Sequence, residues 1–151
     1  MMISIRKACP EDSSVISTII IAAIKETNVK DYPASVIAKL PESFSPAQIA
    51  ERMLVRDTYL SVADERITGT ASLDNNTVRS VFVKPELQGF GIGLALMKHI
   101  EELASLNGIS ELTVPSSITA KGFYRKLGYE KVREEFEGLE RIIIMRKPLS
   151  V

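Results

Sequence analysis

Apolar and polar positions alternate with a period of two from Ile3 to Ala8, which predicts a first strand. Pro10-Glu11-Asp12 then opens a helical pattern running to about Glu26. Between Asn28 and Pro46 the composition is mixed, with Pro33, Pro41 and Pro46 as breaks and a short helix expected over Ser35 to Leu40. Ser45-Pro46 has the chemistry of an N-cap followed by proline at the first helical position, predicting a helix to about Arg56. Thr58 to Ala63 and Ile67 to Leu73 predict two strands joined at Asp64-Glu65-Arg66. The cluster Asp74-Asn75-Asn76 turns the chain into a central strand, Thr77 to Val83.

After Pro85 the pattern changes period. Leu96, Met97, Ile100, Leu103 and Ala104 fall on one face of a helix that ends at Leu106, stopped by Asn107-Gly108. A strand over Ile109 to Val114, a helix over Thr119 to Leu127 and closing strands over Tyr129 to Phe136 and Arg141 to Lys147 complete the chain. Together these predict one α+β domain over residues 1–151, with a mixed, mostly antiparallel sheet and helices on both faces.

Bulk properties narrow the field. The 151 residues suffice for a sizeable core without disulfides or metals. Lys+Arg 19 balances Asp+Glu 19, so nothing pulls the chain toward nucleic acid or a membrane surface. The lone Cys9 has no intramolecular partner and reads as a small apolar filler near the end of the first strand. His99 sits beside Lys98 and Glu101-Glu102, on what reads as a solvated helix face. Val15 to Ile24 is too short to span a bilayer, and the first residues lack a signal peptide's apolar stretch. A cytoplasmic protein is expected.

Between the central strand and the long helix lies Gln88-Gly89-Phe90-Gly91-Ile92-Gly93-Leu94. A helix start carries unpaired N–H groups and partial positive charge, and glycines let main chain approach an anion closely. The spacing is neither the dinucleotide fingerprint nor a P-loop. By itself it fits a phosphate cradle or a tight turn. A second motif follows about thirty residues later: Ala120-x-x-Phe123-Tyr124-x-x-Leu127-Gly128-Tyr129.

Gln88-x-x-Gly91-x-Gly93 resembles the acyl-CoA pyrophosphate loop of GNAT-type N-acetyltransferases, and the later motif resembles that family's second signature. The likeness runs from about Ile67 to Met145, with both motifs in the expected order. It implies a sheet whose strands after Thr77 and Ile109 splay apart for the pantetheine arm. It also implies acetyl-CoA as donor, with Gln88, Gly89, Phe90, Gly91 and Gly93 along the pyrophosphate and Leu94 at the helix start. Phe82 and Val83 would offer main-chain groups to pantetheine, and the Val83 N–H would polarise the thioester carbonyl. In acyl transfer such a donor contributes on the order of 3 kcal/mol.

Tyr124 is the implied general acid, since a phenol near ~10 and a thiol near ~8.5 can exchange a proton as the C–S bond breaks. The other reading is a packed aromatic whose hydroxyl satisfies a carbonyl. Tyr129 is expected to be core. Ser117 either touches the cofactor or caps the helix near Thr119. Many relatives carry a glutamate on the central strand, where this chain reads Thr77-Val78-Arg79-Ser80, so the base is left unassigned. Arg79 either holds a substrate carboxylate or pairs with a surface acid; Asp74 is a base from the turn or simply a turn residue. Lys84 and Lys121 are candidates to neutralise phosphate.

The segment Glu26 to Phe44 is expected to select the acceptor through Asn28, Asp31 and Tyr32. The resulting expectation is acetyl transfer to a small-molecule primary amine, or a peptide amine, by direct attack in a ternary complex. No metal is called for. A non-catalytic acyl-CoA sensor is the alternative. As partners the sequence admits an amine acceptor and a second copy of the chain as a homodimer, not nucleic acid or membrane.

Overall fold

The computed structural model describes residues 1–150. Two tight turns build the first half of its sheet. Asp64 and Glu65 have φ of 51° and 64°, the paired left-handed geometry whose twist suits a two-residue hairpin, and they join β2 (Asp57–Ala63) to β3 (Arg66–Asp74). Asn75, at φ 56°, carries β3 into β4 (Thr77–Val83). β1 (Ser4–Lys7) pairs antiparallel with β2. The seven strands lie in the order β1-β2-β3-β4-β5-β7-β6, where β5 is Glu111–Ser116, β6 Glu130–Glu137 and β7 Glu140–Pro148. Every adjacent pair is antiparallel except β4 and β5.

The sheet is covered on both faces. On one, α1 (Ser13–Glu26) buries Ile16, Ile20 and Ile24, one helical stripe, against Leu60 of β2. Leu40 and Ile49 join them from α3 (Leu40–Ser43) and α4 (Pro46–Met53). On the other, α5 (Ile92–Leu106) sets Ile92, Leu96, Met97, Ile100 and Ala104 against Ala71, Val78, Leu112 and Val114. Each aliphatic side chain fully withdrawn from water contributes about 1.5–3 kcal/mol, so these two stripes hold the layers together.

Several expectations shift in detail. Pro41 divides the expected Ser35–Leu40 helix into α2 (Ala34–Ala38) and α3, because proline is accepted only in a first helical turn. α4 starts as expected, with the Ser45 hydroxyl accepting from the Gln48 N–H at 3.3 Å, but stops at Met53. β5 begins at Glu111, and α6 spans only Lys121–Lys126. Cys9 is exposed rather than a core filler. It lies beyond β1, where its N–H donates to Asp12 Oδ2 at 2.8 Å. His99 is not on a solvated face: it flanks the apolar stripe of α5 and meets the Tyr59 ring edge-on at 5.3 Å.

The feature that makes the site is a gap in the sheet. β4 and β5 register at one position, Thr77 opposite Thr113, with the Thr113 N–H donating to the Asn76 carbonyl at 2.9 Å. Beyond that they part. Ser80 has φ 54° and lies where the β3–β4 register slips, so an extra residue bends β4 away. On the facing strand the next donor toward β4 would be residue 115. It is Pro115, which has no N–H to give.

Candidate functional site

Two cavities, each of about 350 Å³, occupy the splay and meet at Asn28, Val81, Phe82, Ala120 and Tyr124. The first is walled by Phe82, Val83, Gln88, Gly89, Gly91, Gly93 and Leu94. The second is walled by Tyr32, Val36, Phe44, Val114, Ser117 and Glu140, among others. Of the residues singled out from the sequence, nine therefore border the first cavity, counting Asn28 and Tyr124, and two more, Tyr32 and Ser117, border the second.

The loop leading into α5 is built for an anion. Gly89 and Gly91 take φ of 83° and 82°, which a side chain would strain, and a Cβ at either would project into open space. Gly91 caps α5 without any side-chain hydrogen bond. Among the described residues, the N–H groups from Gly89 to Leu94 find no acceptor within the protein. Six free donors at the positive end of a 15-residue helix fit a pyrophosphate. Gly93 is different. A Cβ there would come within 3.1 Å of the Phe123 ring, so this glycine serves the packing of α5 against α6. Phe90 is 60% exposed and borders neither cavity.

Val83 presents its main chain to the gap. The Lys84 N–H donates to the Thr68 carbonyl on β3 at 2.9 Å. Successive peptide groups in a strand face opposite edges, so the Val83 N–H points away from β3, toward β5. The Val83 carbonyl accepts from Gln88 Nε2 at 3.3 Å, tying the loop to the end of the strand. The missing β4–β5 ladder thus leaves a strand edge that an extended amide chain can complete.

Tyr124 stands opposite on α6. Its ring is 5% exposed and packs edge-on with Phe123 and Tyr129, at 5.1 and 5.8 Å between centroids. The residue borders both cavities, and its hydroxyl has no protein hydrogen-bond partner among the described residues. Tyr129, by contrast, donates to Glu101 Oε2 at 2.8 Å, and Glu101 also pairs with Lys147. That network holds Tyr129 in the core, where it was expected, bordering neither cavity. Burial, with a smaller contribution from Tyr32, raises the Tyr124 pKa above the ordinary phenol value, so its proton is held throughout the neutral range.

Asp31, expected at the acceptor groove, borders neither cavity: it is buried and accepts from the Thr119 N–H through Oδ1 at 3.3 Å, while Oδ2 has no partner among the described residues. Burial, then Glu140 and Asp31, push the Tyr32 hydroxyl up to about 12. The Ser117 hydroxyl accepts from the Ala120 N–H at 3.2 Å in the turn before α6, whose own N-cap, Ala120, has no side-chain hydrogen bond. Arg79 lies outside both cavities, 3.5 Å from Asp74 across the β3–β4 turn. Lys84 and Lys121 do not wall the loop cavity either.

Glu140 and Pro115 were not anticipated. A proline inside a strand pattern was a readable sign of a broken ladder. Glu140 had no such sign. It reaches the cavity because β7 runs antiparallel to β5 with Ile143 opposite Ser116, which carries residue 140 past the end of β5.

The described residues contain no helix long and apolar enough to cross a membrane. Residues 28–145 match the family model for the acetyltransferase (GNAT) domain, and the chain belongs to that family of N-acetyltransferases. It is 26% identical over 133 residues to the uncharacterized N-acetyltransferase YafP of Escherichia coli, covering 88% of this chain and 85% of that one. The fold matches a GCN5-related N-acetyltransferase from Rhodopseudomonas palustris with a TM-score of 0.89 at 26% identity, over 99% of each chain. It also matches the paia N-acetyltransferase of Thermoplasma acidophilum, solved in complex with coenzyme A, at a TM-score of 0.83 and 22% identity, over 98% of this chain and 99% of that one.

Proposed function

We propose that the protein transfers an acetyl group from acetyl-CoA to the primary amine of a small molecule, within a ternary complex. The observation that carries this reading is the meeting of the two cavities at Tyr124, in the same splay that leaves the edge of β4 free. The relatives solved with coenzyme A or acetyl-CoA, from Thermoplasma acidophilum and Salmonella typhimurium, support the same donor here.

Acetyl-CoA supplies the thioester carbon. The loop N–H groups from Gly89 to Leu94 hold the diphosphate, and the edge of β4 orients the amide arm. The Val83 N–H offsets the charge that develops on the carbonyl oxygen. Tyr124 gives its proton to the departing sulfur; its raised pKa keeps that proton in place until the C–S bond lengthens. Phe82 and Ala120 exclude water where the two cavities join.

Titration calorimetry with coenzyme A, followed by thiol release from acetyl-CoA with a panel of primary amines, tests the reading. Saturable binding and amine-dependent release are expected. Saturable binding with no release for any amine would favour an acyl-CoA sensor, and no binding would remove the donor site.

A further inference from the structure

We propose that the acceptor is a small amine with an apolar body and no carboxylate, entering as its ammonium ion, and that the Glu140 carboxylate takes its proton. This rests on the acetyltransferase reading above and extends it to the acceptor side of the same site.

The acceptor cavity has an asymmetric lining. Tyr32, Val36 and Phe44 give it an apolar wall, and among the described residues Glu140 is the one carboxyl bordering it. No lysine or arginine borders it among the described residues. The groups bearing on Glu140 from neighbouring elements are Asp31 and Tyr32 after α1, Glu137 on β6 and Tyr124 on α6, all acidic or phenolic. Arg141, its neighbour on β7, is engaged instead by Glu134, Nε to Oε2 at 3.1 Å. Asp31, whose Oδ2 is buried without a partner among the described residues, borders neither cavity and bears on Tyr32 and Glu140 only through its charge. A cavity of this kind lowers its free energy by admitting a cation, and it repels a second carboxylate. Burial first, then Glu137 and Asp31, raise the Glu140 pKa, which brings it closer to that of an amine desolvated in the same cavity.

The proton balance closes. The ammonium gives one proton to the Glu140 carboxylate, and the freed nitrogen lone pair forms the C–N bond at the thioester carbon. As the C–S bond breaks, the Tyr124 hydroxyl protonates sulfur, and the resulting phenolate takes the second proton from nitrogen. Glu140 then returns its proton to water. Ammonium and thioester become amide, thiol and one released proton.

Phenethylamine and L-phenylalanine share one apolar body and differ by a carboxylate, so they serve as the probes. With wild-type protein and acetyl-CoA, kcat/KM for phenethylamine should exceed that for phenylalanine by about 10²-fold. Glu140→Gln should lower kcat/KM for phenethylamine by about 10²-fold and remove the acid limb of its pH profile. Glu140→Asp should recover part of the rate. The affinity for coenzyme A should stay within about two-fold in both variants, which also reports that they fold. Equal or better use of phenylalanine would overturn the proposal. So would an unchanged rate and pH profile in Glu140→Gln, or wild-type protein that binds coenzyme A yet acetylates neither probe. Failure to bind coenzyme A at all would remove the donor reading, and this one with it.

Discussion

The two walls of the splay are made of different material. Most of the donor wall is one stretch of chain, Val81 to Leu94, with α1 and α6 closing it, and what that stretch offers is mostly main chain: free N–H groups, a strand edge and two glycines at positive φ. The acceptor wall is assembled from separate stretches, around residues 28–44, at 78–82 of β4, at 114–120 and at Glu140, and what it offers is mostly side chains. A main-chain site binds a group common to every acyl-CoA. A side-chain site can differ from one relative to the next without disturbing the donor. One half of the molecule is therefore suited to fixed chemistry and the other to choice of acceptor.

If that contrast holds, the largest effect comes from filling the donor loop. Gly91→Val should weaken coenzyme A binding by about 10³-fold, because the new side chain projects into the space an anion needs and stiffens a cradle of free donors. The same change imposes left-handed strain of about 1–2 kcal/mol, lowering the thermal midpoint by about 2–8 °C. Calorimetry with a parallel melting curve reads both, and retained affinity would break the contrast. Next comes Tyr124→Phe, which removes the shared hydroxyl and should cut kcat by about 10²-fold while coenzyme A affinity holds. An unchanged kcat would take Tyr124 out of the chemistry.

A smaller effect should distinguish the acceptor wall by pH. Burial, with Glu137 and Asp31, raises the Glu140 carboxyl pKa in the folded protein above its unfolded value. The folded state therefore holds that proton more tightly, and stability is lost as pH rises through the raised pKa. Glu140→Gln lacks this loss, so its melting temperature should gain on wild type as pH rises from the acid side of the ordinary glutamate range toward neutrality. Thermal scans at the two ends check the sign, and a wild type that gains toward neutrality would reverse it. The smallest effect is expected at Arg79→Ala. This exposed pair with Asp74 borders neither cavity, so kcat/KM should stay within about two-fold and stability within about 0.5 kcal/mol. A larger loss of activity would bring Arg79 back to the substrate.

The donor wall was legible in the sequence because its elements are local. Strand, proline, alternate glycines and helix occur in one run, and each acts within a few residues of itself. The same locality made the two hairpins, the α5 stripe and the Ser45 cap readable. Expectations failed where neighbours in space decide. His99 reads as solvated from its charged neighbours, but β2 places Tyr59 against it. Cys9 reads as core from composition, but the chain has already left the sheet there. Ser117 reads as cap or ligand from the sequence, and only the fold places its hydroxyl both on the second cavity's lining and within reach of the Ala120 N–H.

The sequence by itself determined the family and the order of strands and helices, since motif and periodicity are properties of adjacent residues. It also held the reason for the gap, in Pro115 and its absent N–H. Tertiary structure alone decided that Glu140 shares a cavity with Tyr32 and Tyr124. That juxtaposition depends on β7 inserting between β5 and β6 in one register, and a pairing between strands so distant in the chain leaves no mark on the glutamate itself.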